Sequence, residues 1–249
     1  MAPIRPERMM THLVESPSGL ASGAPRPAPS RSILNRSVAE GVGTFFLLIA
    51  VVGSGIAGER LAGGNAAIAL LANSAATGAS LVALILAFGP ESGAHFNPLV
   101  SFVEASFHEL PGGDVPFYIV AQTAGAVAGV GAAHLMFGLP LYAASRHVRT
   151  GAPQWLAEAV ATFGLVIVIR GAARLGTVAV AMAIGCYIAG AYWFTASTSF
   201  ANPAVTLARS LTDSFSGIRP ADAPGFVAAQ LAGAWAGAAF SRRVFLPPN

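Results

Sequence analysis

With 249 residues, 54% hydrophobic and 10% charged side chains, and a mean hydropathy of +0.63, the chain lies far from soluble domains, in which about a quarter of residues are charged. Its formal net charge of +3 rests on arginine alone, since the sequence contains no lysine, and no basic patch interleaves with aromatics, which excludes a nucleic-acid role. The single cysteine, Cys186, rules out an intramolecular disulfide and a cysteine metal site.

Residues 1–37 hold six prolines among Ser, Gly and Arg, with no apolar run long enough for a signal-peptide core. They read as a disordered cytoplasmic tail. Apolar segments follow at about 38–57, 65–88, 115–137, 153–170, 177–196 and 224–245, suited to crossing about 30 Å of hydrocarbon at 1.5 Å per residue. Gly89-Pro90-Glu91-Ser92-Gly93 breaks the second segment and leads into Ala94-His95-Phe96-Asn97-Pro98-Leu99. A similar break after the fifth leads into Ser199-Phe200-Ala201-Asn202-Pro203-Ala204. Each Asn-Pro reads as a helix start, because Asn accepts a free first-turn N–H and Pro suits the first helical position. The helices that follow, 98–108 and 203–211, are too short to span.

The two halves repeat. Ala39-Glu40-Gly-Val-Gly-Thr44-Phe45 matches Ala157-Glu158-Ala-Val-Ala-Thr162-Phe163, the Asn-Pro stretches correspond, and Gln122-Thr-Ala-Gly125 matches Gln230-Leu-Ala-Gly233. Three spans per half make the second copy enter the membrane from the opposite side. The expected fold is an all-α membrane protein of six transmembrane helices and two re-entrant half-helices in an inverted repeat. Its channel domain covers 38–249, with repeats at 38–137 and 153–246. The arginine distribution sets both termini in the cytoplasm: Arg5, Arg8, Arg26, Arg31, Arg36, Arg170, Arg174, Arg242 and Arg243 fall inside, against Arg60, Arg146, Arg149 and Arg219 in outer loops.

The Glu in the first span of each half, Ser-Gly-Ala-His-Phe-Asn-Pro in the first break and Asn-Pro-Ala in the second together resemble the major intrinsic proteins, the aquaporins and aquaglyceroporins, over about 37–245. The resemblance implies a passive channel in the cell membrane, without enzymatic activity, metal or cofactor, that passes water and small uncharged solutes and assembles as a homotetramer. It implies that Asn97 and Asn202, with Pro98, Leu99, Pro203 and Ala204, form the pore midplane, where two donors and two positive helix ends repel cations. Leu99 departs from the usual Ala and is expected to reshape the midplane slightly. Glu40 and Glu158, costly as isolated charges in a membrane, are implied to accept hydrogen bonds from their re-entrant loops, with His95 as a loop brace or gate.

The family's outer constriction falls, by residue spacing, on Thr77, Gly190, Ser199 and Val205. Water-selective members carry an aromatic residue, a His and an Arg at three of these places, and glycerol conductors keep the Arg; this chain has none of them. The expected filter is wide, neutral and mildly polar. The loss resembles a bacterial branch associated with metalloid hydroxides such as arsenous acid. Arg209, four residues or about 6 Å further along the second short helix than Val205, is expected to stay out of this filter. Gly41, Gly43, Gly125, Gly129, Gly233 and Gly237 read as helix-packing positions. Cys186 reads as a core residue, with a reactive thiol near Gly190 as the alternative. A secondary transporter with broken helices is the competing function class, and a non-conducting structural protein the third.

Overall fold

The computed structural model describes residues 31–245, so the tail expected over 1–37 lies, up to residue 30, outside the described residues. Among them are eight α-helices and no strands: α1 (Ile33–Leu61), α2 (Ala66–Ser92), α3 (Pro98–Ser106), α4 (Val115–Met136), α5 (Ala152–Ala172), α6 (Thr177–Phe194), α7 (Pro203–Arg209) and α8 (Ala223–Val244). Five of the long helices, all but α8, are long and apolar enough to cross a membrane. α8 has 22 residues but ends in Arg242 and Arg243, and it packs on α5 as α4 packs on α1.

Several helix ends differ from the hydropathy reading, and those of α1 and α2 do so for local reasons. α1 begins at Ile33 because the Ser32 hydroxyl accepts the Asn35 N–H at 3.2 Å, and Arg36 in its first turn pairs with Asp114 at 2.7 Å. Hydropathy marks only the apolar part of that helix. α2 runs through Pro90 to Ser92, since a proline one turn from the end removes a single backbone bond. It stops at Gly93, whose φ of 91° is left-handed and whose N–H bonds Gly89 O at 3.0 Å. α7 ends at Arg209, two residues before the expected position.

Close helix crossings bring the two repeats to similar designs. A Cβ added at Gly125 of α4 would lie 2.1 Å from the Gly41 carbonyl oxygen of α1. One added at Gly233 of α8 would lie 2.2 Å from the Ala159 carbonyl oxygen of α5. Backbone therefore touches backbone at corresponding places in both halves, where only glycine fits. α2 joins the halves by packing against both α1 and α6. The connector between the repeats lies along the chain after α7: Ala143 N–H bonds Leu211 O at 2.9 Å, Ser145 N–H bonds Ser210 O at 3.0 Å, and Arg219 N–H bonds His147 O at 2.7 Å.

Replacing Gly125 by Leu forces this crossing apart and is expected to cost at least about 1–3 kcal/mol. Gly112→Ala, where an added Cβ meets nothing within 4 Å, is expected to stay within about 0.5 kcal/mol. Thermal unfolding of the two variants in detergent measures the difference.

Candidate functional site

The loops before α3 and α7 adopt a backbone that helices and strands avoid. Ala94 and Phe96 have φ of 52° and 49°, and Ser199 and Ala201 have 50° and 48°; each pair stands three and one residues before its Asn. Left-handed backbone at residues with a Cβ costs about 1–2 kcal/mol each. Two carboxylates hold it. Glu40 accepts the His95 N–H at 2.9 Å and the Phe96 N–H at 2.6 Å, together with Ser92 Oγ at 2.6 Å and Gln122 Nε2 at 2.8 Å. Glu158 accepts the Phe200 and Ala201 N–H groups at 2.9 Å each and Gln230 Nε2 at 2.6 Å. Both glutamates are fully buried. In a trans peptide the carbonyl points opposite to the N–H. The carbonyls of Ala94, His95, Ser199 and Phe200 are thus turned away from the glutamates, and all four residues line one cavity of about 600 Å³.

Asn97 and Asn202 reach that cavity from opposite sides. Each side-chain oxygen caps its own short helix, Asn97 Oδ1 accepting Leu99 N–H at 2.9 Å and Asn202 Oδ1 accepting Ala204 N–H at 3.0 Å. Each amide nitrogen crosses to the other loop: Asn97 Nδ2 donates to Ala201 O at 2.8 Å, and Asn202 Nδ2 donates to Phe96 O at 2.8 Å. An amide carries two N–H donors, so one on each Asn is left for the cavity.

Pro98, Pro203 and Ala204 begin the short helices without lining the cavity. Leu99 does not line it either; its side chain packs with Val103, Val166, Ala234 and Ala238. The extra bulk relative to Ala therefore falls between α3, α5 and α8, and the expected reshaping of the midplane has no structural basis. His95 lines the α3 side, with Nδ1 3.0 Å from Ser101 Oγ and its ring 5.4 Å from that of Tyr118.

On the side of α7, Thr77, Ser199 and Val205 line the cavity, and Gly190 does not. The lining stripe of α6 is Thr177, Val180, Ile184, Ile188 and Tyr192, spaced at helical intervals, which puts Gly190 about 200° away from Tyr192. Gly190 and Cys186 are exposed on the other face of α6, and neither lines the cavity. Tyr192 takes the place assigned to Gly190, with its hydroxyl 3.2 Å from Thr77 Oγ1.

The α7 end of the cavity also differs in charge from the neutral filter expected. Arg209 is 1% exposed and lines the cavity. Its guanidinium carbon lies 3.4 Å from the centre of the Phe200 ring, and Nε donates to Ser216 O. Arg209 stands four residues after Val205, about 6 Å and one turn further along the same face of α7, and its long side chain folded back over an aromatic ring covers that distance. Arg149 of the connector stacks on the same ring at 5.3 Å and donates to the carbonyls of Gly217 and Ser197. At the exposed rim, the backbone N–H and guanidinium of Arg146 hold Asp213 below the ordinary carboxylate range.

A family model, "Major intrinsic protein", matches residues 28–175 and 147–248. The chain belongs to the major intrinsic protein family. It is 54% identical over 215 residues to "Aquaglyceroporin AqpS" of Rhizobium meliloti (strain 1021), covering 86% of this chain and 92% of that protein. It is 42% identical over 91 residues to "Probable aquaporin NIP7-1" of Arabidopsis thaliana, covering 36% of this chain and 32% of that protein. Among solved structures, the aquaglyceroporin from Plasmodium falciparum superimposes with a TM-score of 0.72 at 20% identity, over 87% of this chain and 98% of that one. As a major intrinsic protein the chain is a multi-pass membrane channel and not an enzyme.

Sequence reasoning missed Tyr192, Arg209 and the bracing pair Gln122 and Gln230. The glutamines stand in the repeated Gln-x-Ala-Gly pattern, which reads as packing until a buried carboxylate is seen beside it. For the loops, Glu158→Ala leaves two buried N–H donors unpaired at about 1–3 kcal/mol each. It is expected to unfold at far lower temperature than Glu158→Gln, whose amide oxygen still accepts one of them; detergent melting curves of the two decide this.

Proposed function

We propose that the chain forms a passive pore for water and small uncharged solutes, with glycerol-like polyols and metalloid hydroxides such as arsenous acid as its larger permeants. It works as a homotetramer with one pore per subunit, in the cell's inner membrane, with both termini cytoplasmic. The observation that carries this reading is a single cavity lined on both sides of Asn97 and Asn202 by loop carbonyls and free amide donors. A solute bearing hydroxyls finds acceptors from both loops and donors at the centre, so it sheds water without charge. The aquaglyceroporin names of the relatives from Rhizobium meliloti and Plasmodium falciparum support glycerol as a permeant.

Thr77, Ser199 and Val205 are the proposed selectivity residues, joined by Tyr192 in place of Gly190. Val205 leaves room beside the cavity that an arginine there would occupy. That room favours compact solutes larger than water. A secondary transporter would need free carboxylates for a coupling ion near the midplane; Glu40 and Glu158 are instead each engaged by two loop N–H groups. A water and glycerol channel without metalloid passage is the second reading, supported by the same cavity.

Stopped-flow swelling of proteoliposomes tests the proposal. Glycerol influx is expected to rise linearly with concentration and to ignore ion gradients, and arsenous acid is expected to enter by the same route. Saturating or ion-driven flux contradicts the channel; glycerol flux without arsenous acid flux favours the second reading. Val205→Arg is expected to lower glycerol flux at least about tenfold, equivalent to about 1.4 kcal/mol in barrier, while sparing water. Unchanged glycerol flux removes Val205 from the filter.

A further inference from the structure

Arg209 has a counterpart. It stands seven residues after Asn202, and the residue seven after Asn97 is Glu104. The inverted repeat thus places a guanidinium at the outer end of one half-helix and a carboxylate at the inner end of the other. Both side chains line the same cavity, and both are at least nine-tenths buried, at 1% and 9% exposure.

Each is fixed by one edge and leaves another edge unpaired. The hydrogen bond that Arg209 makes among the described residues comes from Nε, to Ser216 O, and Phe200 covers one face of the guanidinium. Its two terminal nitrogens have no partner there. Glu104 Oε2 accepts from Arg170 Nη1 at 2.8 Å, and Arg170 is itself stacked 4.0 Å over Phe107. Glu104 Oε1 is buried without a partner. One residue before the Phe200 on which Arg209 stacks, the Ser199 hydroxyl is also buried, unpartnered and on the cavity wall.

We infer that Arg209 and Glu104 are a repeat-related pair of specificity-determining residues, a donor clamp at the outer end and an acceptor clamp at the inner end, which together restrict the pore to uncharged hydroxylated solutes. This rests on the channel reading above. A hydroxyl group both accepts and donates, so one neutral solute satisfies Arg209 and Ser199 on entry and Glu104 Oε1 further in. An ion meets one favourable end and one repulsive end. A cation is turned back at Arg209; an anion that passes Arg209 faces Glu104.

The other charged groups at the two ends leave this polarity in place. At the inner end the charged lining residues are Arg36, Glu104 and Glu109, and Arg36 is neutralised by Asp114 at 2.7 Å. Glu109 lies 3.9 Å from Arg170, which therefore faces two carboxylates, and Arg242 sits behind Phe107, bonded to Ser106 O. At the outer end Arg209 is the charged lining residue; Arg149 is taken up by carbonyls, and Arg146 and Arg219 are paired with Asp213 and Asp222.

Ion permeability of proteoliposomes, read as a reversal potential in a sodium chloride gradient, tests the pair. Wild-type vesicles are expected to conduct neither ion above empty vesicles. Arg209→Gln is expected to leak with the cation-to-anion ratio raised about tenfold, and Glu104→Gln, which frees the charge of Arg170, with the ratio shifted about tenfold the other way. Shifts of opposite sign do not arise from a loosened fold. Should Arg209→Gln fail to insert, Arg209→Lys decides: it is expected to keep cations out while changing the ratio of glycerol to water flux at least about threefold, since the planar fork is lost. Unselective leaks, shifts of the same sign, an ion-tight Arg209→Gln that still passes water, an Arg209→Lys of wild-type flux ratio or an ion-conducting wild type overturns the inference. Glycerol swelling of the same wild-type vesicles reports separately on the channel reading, so its failure is not confused with loss of the clamps.

Discussion

Glu40 and Glu158 each take two backbone N–H groups from a loop that enters the membrane without regular structure. Bare N–H and C=O groups at that depth cost several kcal/mol each, so a re-entrant loop exists only where something else in the protein satisfies it. Each carboxylate does so while accepting further side-chain donors, Ser92 and Gln122 at Glu40 and Gln230 at Glu158, which offset part of the cost of burying a charge. The other features follow from that geometry. Pinning the N–H groups on one side aims the carbonyls at the other, and the left-handed residues at positions three and one before each Asn are the conformations that permit it.

The same interaction makes the two halves one unit. Asn97 caps α3 and donates to the loop held by Glu158, while Asn202 caps α7 and donates to the loop held by Glu40. Each half thus supplies an acceptor for the other. Gly41 against Gly125 and Ala159 against Gly233 bring α1 to α4 and α5 to α8 closely enough for Gln122 and Gln230 to reach the glutamates. Where the repeats differ, as at Glu104 and Arg209, the symmetric frame gives a cavity with unlike ends.

Much of this was legible in the residues. The paired Asn-Pro stretches, the glutamates in apolar runs and the glycine patterns are short-range signals whose physics is local, and they identify the helices, the inverted repeat and the family. Helix ends were less so, because Ser32, Pro90 and Gly93 act through single hydrogen bonds that hydropathy does not register. The outer constriction was misread at two places for one reason: residue spacing counts positions along the chain, whereas a pore wall is set by which helix face turns inward and how far a side chain folds. Gly190 stands on the wrong face of α6. Arg209 stands one turn beyond Val205 on the same face of α7 and reaches the cavity through its own length, with Phe200 as the surface it lies against.

The claim that most of the account depends on is that the two glutamate-held loops form one coupled element. A double-mutant cycle of Glu40→Gln and Glu158→Gln, followed by thermal unfolding in detergent, tests it directly. Distant independent sites add to within about 0.3–0.5 kcal/mol, whereas sites in one hydrogen-bonded network couple by about 0.5–3 kcal/mol. The expected result is a coupling inside the second range, the second substitution costing less once the first has released the shared Asn bonds. Strict additivity would contradict the account and leave two loops that stand side by side without holding each other.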